Sequence, residues 1–353
     1  MILGLKAVAF MVALIAGTPP ATAQSPPPAV PQAPDDARAQ SARRARLSAA
    51  KSWGYQLRIR DLAPLAAADA DLLVIDHGLA ARRDGKLLFD TAEIERLKAR
   101  PDGRRRIVLS YLSIGEAEQY RFYWQGSWCQ RATAPKWIGA VNPNWPGNYP
   151  VRFWDADWQR LMLDGPDSYL AKIQAQGFDG IYLDRADVWS EWTRERPSAE
   201  RDMVTFLSRI SAAARGRDRG FLVVMQNAEE LLAHRTVRRA LDGVAKEDLL
   251  HGVNFTEAPN SAGTVSDALT HLKRARRDGL PVFAVEYLSD PTLIAAARRR
   301  LVGYGFVATI APRLLDSLGD PAQRQAAVAV PPAPAPTAQP SNWGEGGPTC
   351  LVD

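Results

Sequence analysis

Carboxylates recur where strand-like segments stop. Asp76, Asp184, Glu247 and Glu286 each close a short apolar run, and Glu116 stands just beyond another. Several carboxylates gathered at one place repel each other and lose solvation, a cost that proteins accept where the groups bind cations or move protons. Glycosidic cleavage uses such equipment: one carboxyl protonates the leaving oxygen, and a second attacks the anomeric carbon or activates water. Side chains alternate along a strand, so Gly180, Tyr182 and Asp184 share one face, as do Gly243, Ala245 and Glu247. The small residues leave room on that face, which makes Asp184 and Glu247 the candidate catalytic pair.

The elements that position these acids are legible. Strand-like runs occur at Trp53–Arg58, Leu72–Asp76, Ile107–Leu112, Gly180–Asp184, Leu222–Gln226, Gly243–Glu247, Val282–Glu286 and Phe306–Ile310. Helical spacing of apolar residues fills several gaps, at Asp164–Gln176, Arg201–Ala214 and Val265–Arg277. Gly177 and Gly279 follow two of these, where a left-handed cap favours glycine. Eight strands alternating with helices predict an α/β fold, a (β/α)8 TIM barrel, whose chemistry lies at the C-terminal ends of the strands. The gap from Ser113 to Asp179 exceeds one helix and predicts a long insertion between strands three and four. Val151–Trp154 is a further possible strand inside it.

Eight of the ten tryptophans lie between Trp124 and Trp192, in or near that insertion. Flat aromatic faces suit the C–H faces of sugar rings. About half of these rings are expected in the core of the insertion, with Trp189 and Trp192 the exposed ones. The four histidines show no ligand spacing, and neither a phosphate-binding glycine loop nor a nucleophile elbow is visible. No cofactor and no metal are therefore expected. The net charge is +5, with runs such as Arg104–Arg106 and Arg298–Arg300. Without a nucleic-acid motif they read as solvated surface, and no nucleic-acid partner is expected.

The ends of the chain read differently from its body. Lys6, the apolar run Ala7–Gly17 and Ala21-Thr22-Ala23 have the order of a signal peptide, too short to span a bilayer comfortably. Cleavage after Ala23 would leave no stable membrane insertion and a secreted or periplasmic protein. The expected division is 1–23 signal peptide, 24–50 proline-rich and basic linker, 51–318 barrel, and 319–353 proline-rich linker and tail. In an oxidising compartment Cys129 and Cys350, the only cysteines, are expected to pair.

Three segments resemble one barrel family: Trp53-Gly-Tyr-Gln-Leu57, Ser110-Tyr-Leu-Ser-Ile-Gly-Glu-Ala-Glu118 with Tyr120-Arg121, and Gly177-Phe-Asp-Gly-Ile-Tyr-Leu-Asp184. Phe153-Trp154-Asp155 and Glu247 also fit. The family is the endo-α-1,4-polygalactosaminidase-like glycoside hydrolases, family 114, and the likeness runs from about Trp53 to Pro312. It implies hydrolysis of α-1,4-linked galactosamine in microbial exopolysaccharide. Barrels of the related α-galactosidase clan carry catalytic acids after strands four and six, which are Asp184 and Glu247 here. The clan implies Asp184 as nucleophile and Glu247 as acid, although its second acid is commonly aspartate. The candidate substrate-binding set is Asp76, Tyr111, Glu116, Arg121, Asp155, Tyr182, Asp187, Trp189, Asn227 and Glu286. Two other readings compete: a polysaccharide-binding barrel without turnover, and an exported scaffold whose basic surface meets an anionic polymer.

Overall fold

The computed structural model describes residues 34–83 and 86–319. One sheet holds eight parallel strands in chain order: β1 (Trp53–Gln56), β2 (Leu72–Ile75), β3 (Ile107–Ser113), β4 (Gly180–Asp184), β5 (Leu222–Gln226), β6 (Gly243–Glu247), β7 (Val282–Glu286) and β8 (Val307–Ile310). The ladder is continuous from β1 to β8, and at the seam Trp53 Nε1 donates to the Val307 carbonyl at 3.0 Å. This is the expected (β/α)8 barrel. The bounds of β4 to β7 match the expectation, while β1 stops at Gln56 rather than Arg58.

Strand alternation divides the apolar residues into two layers. Trp53, Tyr55, Tyr111, Tyr182, Phe283 and Val285 fill the barrel interior with aliphatic neighbours. Ring centroids lie 5.2 Å apart for Tyr55 and Tyr182 and 5.7 Å for Trp53 and Phe283, so the interior is a packed core rather than a pore. The opposite faces pack on the outer helices. The helix Ala199–Arg217 shows why: Met203, Phe206, Leu207, Ile210 and Ala214 recur at helical spacing and are all buried. Burying each large side chain of that stripe contributes about 1.5–3 kcal/mol.

The insertion between β3 and β4 has a core of its own. Glu116–Glu118 pairs antiparallel with Asn148–Pro150, and helices Ala156–Leu163 and Tyr169–Ala175 follow. Of the helix expected over Asp164–Gln176 only Tyr169–Ala175 forms; Asp164 caps the end of the preceding helix and Gly165 breaks the chain with a φ of +80°. Val151–Trp154 is not a strand; Val151 makes only an isolated bridge to Ile138. Trp124, Trp137 and Trp158 are buried, and Trp128 packs edge-on to Trp124 and Trp137. Trp189 and Trp192, expected to be exposed, are partly buried against this core, and Trp145 is the exposed ring.

Two expectations based on composition are corrected. Residues 34–49 are not linker but helix. The helix has no broad apolar stripe, which is why its sequence reads as linker. Leu47 and Ala50 enter the barrel's interior cluster, and charge fixes the rest. Arg43 pairs with Asp179 and Asp218, and Arg44 with Asp242, acids that precede β4, β5 and β6. The folded body therefore includes Pro34–Ala49, ahead of the start expected at residue 51. Arg106, expected on a solvated surface, is buried and donates to the carbonyls of Leu65 and Ala66. The expected signal segment, the tail from 320 and Cys350 lie outside the described residues. Among the described residues no helix is long and apolar enough to cross a membrane.

Candidate active site

Asp184 and Glu247 end β4 and β6, on either side of β5. Gln226, the last residue of β5, lies between them. Its Nε2 donates to Asp184 Oδ1 at 2.9 Å and to Glu247 Oε2 at 2.6 Å. Only the NH2 end of an amide can bridge two carboxylates, which fixes its orientation. Each acid carries a second arm of the same kind. Tyr111 Oη donates to Asp184 Oδ2 at 2.8 Å, and Tyr287 Oη donates to Glu247 Oε1. Backbone Arg185 N–H completes Asp184 Oδ1 at 2.8 Å, and Asn227 Nδ2 completes Glu247 Oε2 at 3.0 Å.

The backbone turns sharply beneath these contacts. Arg185, Asn227, Ala228 and Asp248 directly follow β4, β5 and β6, and all have positive φ, between 48° and 61°. A non-glycine residue in that region costs about 1–2 kcal/mol. Strain of this sort persists where the surrounding contacts overdetermine it, as at functional sites. Gly115 plays a part from the β3 side: a Cβ there would collide with the Arg185 carbonyl.

Burial raises both acids. Loss of solvation, then the nearby Asp187 charge, pushes Asp184 up to about 6, against the pull of Tyr111 and Arg185. Loss of solvation, then the Asp184 charge, pushes Glu247 up to about 7, against Tyr287 and Asn227. A pair so placed holds one proton readily and two charges poorly.

The other candidate residues separate into groups. Tyr111 and Asn227 touch the pair directly. Tyr182 is fully buried below it, in the barrel's aromatic layer. Asp187 and Glu116 surround Arg185: its Nε lies 3.0 Å from Glu116 Oε1, and its NH1 lies 3.5 Å from Asp187 Oδ2. Glu116 also accepts from Asn142 at 2.8 Å and Asn148 at 3.3 Å, and burial pushes it up to about 7 despite Arg185. Asp76 and Arg121 form a buried ion pair at 2.8 Å, with Glu118 on the guanidinium's other side at 2.6 Å. Trp189 packs partly buried against the core. Asp155 lies outside the cluster, capping the helix Ala156–Leu163 through Asp157 N–H. Glu286 lies outside it too. It is fully buried and accepts from the backbone of Leu250 and His251 at 2.9 and 3.0 Å.

Sequence reasoning missed Gln226, Tyr287, Arg185 and the Asp248–Arg313 pair. Arg313 holds Asp248 with two bonds of 2.9 and 3.0 Å and lies 4.6 Å from the Tyr287 ring centre. The available signal was parity. Phe283, Val285 and Tyr287 face the interior, so Tyr287 rather than Glu286 reaches the mouth from β7. Among the described residues no group of three His, Cys, Asp or Glu side chains could hold a metal ion.

Known proteins share this architecture. The glycoside hydrolase domain of PelA from Pseudomonas aeruginosa superposes with a TM-score of 0.58 at 21% identity, over 76% of this chain and 98% of that one. Ega3 of Aspergillus fumigatus, solved in complex with galactosamine, gives 0.54 at 18% identity, over 76% and 93%. An uncharacterised Deinococcus radiodurans protein is 32% identical over 275 residues, which is 77% of this chain and 83% of its own. Residues 34–320, from the N-terminal helix to the last described residues of the barrel, match one family throughout: the chain belongs to glycoside-hydrolase family GH114.

Proposed function

We propose that the protein is an exported glycosidase that cleaves α-linked galactosamine polymers with Asp184 as nucleophile and Glu247 as general acid. The observation that carries this reading is the shared Gln226 nitrogen. Its two bonds, 2.9 and 2.6 Å, hold Asp184 Oδ1 and Glu247 Oε2 no more than about 5.5 Å apart. That limit on the two facing oxygens is compatible with the about 5–5.5 Å between the carboxyl groups of a retaining glycosidase. The division of roles follows the clan resemblance; loss of solvation raises both carboxyls, so the pair favours holding one proton between them. The member that carries that proton is the donor to the leaving oxygen, and its ionised partner is the nucleophile. Family membership supports the reaction class, and the galactosamine bound to Ega3 supports the sugar. The signal-like N-terminus supports export.

Reducing-end release from polygalactosamine tests the reading directly, with glucosamine and galactose polymers as controls. Asp184→Asn and Glu247→Gln keep side-chain volume and should each abolish most turnover while polymer binding persists. Near-parental activity in either variant would remove that residue from the pair. A parent protein that binds polymer and releases nothing would instead be a polysaccharide-binding barrel.

A further inference from the structure

Gln226 is buried and uncharged, and its amide oxygen has no hydrogen-bond partner among the described residues. The side chain is thus committed at one end and left unsatisfied at the other. That arrangement costs stability, and packing alone does not require it. The committed end meets both members of the proposed pair at once. We infer that Gln226 is their positioning residue: one fixed amide whose two N–H groups hold Asp184 and Glu247 at working separation and serve whichever of them carries the charge. The inference rests on the glycosidase reading above.

The reaction makes this placement useful. In the first half, a bond forms between an Asp184 oxygen and the anomeric carbon, the bond to the leaving oxygen breaks, and the Glu247 proton passes to that oxygen. One negative charge disappears from Asp184 and one appears on Glu247. In the second half, water attacks the anomeric carbon, Glu247 takes a proton from that water, and the bond to Asp184 breaks. The charge returns to where it began. A donor aimed at each carboxylate stabilises both states without reorientation, which is the condition for effective electrostatic stabilisation. Tyr111 and Tyr287 each serve one acid, whereas Gln226 serves both.

Other groups also set the charge of the pair. Tyr55 and Tyr182 lie below it. Arg185 and Asp187 lie beyond β4, with Glu116 behind Arg185. Asp248 and Arg313 stand beyond β6 and β8, and Lys246 reaches Asn227 at 3.4 Å. None of these bonds to both carboxylates, so removing Gln226 should affect the two acids together.

Gln226→Met keeps the volume and deletes both donors. The expected result on a cleaved polymer is a kcat lower by about 100-fold with KM nearly unchanged. Both limbs of the pH profile should move upward, because a donor that favoured the ionised carboxylates has gone. A kcat within fivefold of the parent, or a superimposable pH profile, overturns the inference. If the methionine variant does not fold, Gln226→Asn is read the same way, since the shorter amide cannot reach both acids; full activity there also overturns it. Carbon-13 titration of the two carboxyls in parent and variant needs no turnover. An upward move of both titrations supports the inference even if the parent cleaves no polymer, which would sink only the functional reading. Unchanged titrations overturn the inference itself.

Discussion

The hydroxyl of Tyr287 donates to Glu247 Oε1, and the Tyr287 ring is in turn stacked by Arg313, which is locked on Asp248. The bond favours the ionised form of Glu247 and so restrains a group that burial has already pushed up to about 7. Tyr287→Phe removes that restraint. The Glu247 proton should then be held to higher pH, and the alkaline limb of kcat should move upward. The charged form produced after proton donation also loses a hydrogen bond, so the rate at the optimum should fall about tenfold. A pH–rate comparison of variant and parent checks both effects, and an alkaline limb that moves downward contradicts the assignment of Glu247 as acid.

Arg121 offers a contrast between binding and stability. It lies between Asp76 and Glu118, and all three are buried. Burial works against the Asp76 carboxylate, but Arg121 and the His77 backbone outweigh it and hold its pKa below the usual range. Arg121→Leu leaves two carboxylates buried without their cation. The expected cost is about 3–5 kcal/mol of stability, read from urea unfolding. If unfolding is unchanged and only polymer affinity falls, Arg121 is a substrate ligand after all.

The barrel was legible because its strands announce themselves: β4 to β7 are short apolar runs between helices with clear spacing. That Asp184 and Glu247 meet at one end of the barrel was legible for the same reason, since parity turns both to the interior. The same parity extends to the other strands. Carried through, it selects Tyr111, Gln226 and Tyr287, whose interior faces continue Leu109, Val224 and Val285. Glu286 is charged and ends a strand, yet it shares a face with Val282 and Ala284 in the outer layer. The helix Pro34–Ala49 was not legible, because arginines reaching Asp179, Asp218 and Asp242 anchor it across long sequence separations.

Three carboxyls raised to about 7 give stability an unusual pH dependence, with Asp184 and Asp248 raised in the same direction. Burial pushes Glu116, Glu247 and Glu286 each up to about 7, above the value of an unfolded chain. Between those two values the folded state binds more protons than the unfolded one, so stability falls as pH rises. His77 acts oppositely, since burial lowers it to about 4, but that opposition ends once an unfolded histidine is neutral, above about pH 6.5. From pH 6.5 to 8 the three acids therefore dominate, and stability should decline by about 1–2 kcal/mol. Urea unfolding at the two pH values checks the sign, and Glu116→Gln should reduce the slope. A rise in stability over that interval contradicts the raised values.

Cys129 ends a short turn, Gly126–Cys129, in the tryptophan-rich insertion, and Cys350 belongs to the tail outside the described residues. If the signal-like N-terminus directs export, both reach an oxidising compartment where thiols pair. A bond between them would close a very long loop and stabilise the fold by about 3–5 kcal/mol. Protein recovered from that compartment should show no free thiol when denatured without reductant, and two after reduction. Cys129→Ser with Cys350→Ser should lower the unfolding midpoint while leaving turnover intact, because among the described residues the carboxylate pair is held by Tyr111, Gln226, Asn227 and Tyr287 and not by the turn. Two free thiols in the denatured, unreduced chain would sink the pairing and remove its support for export.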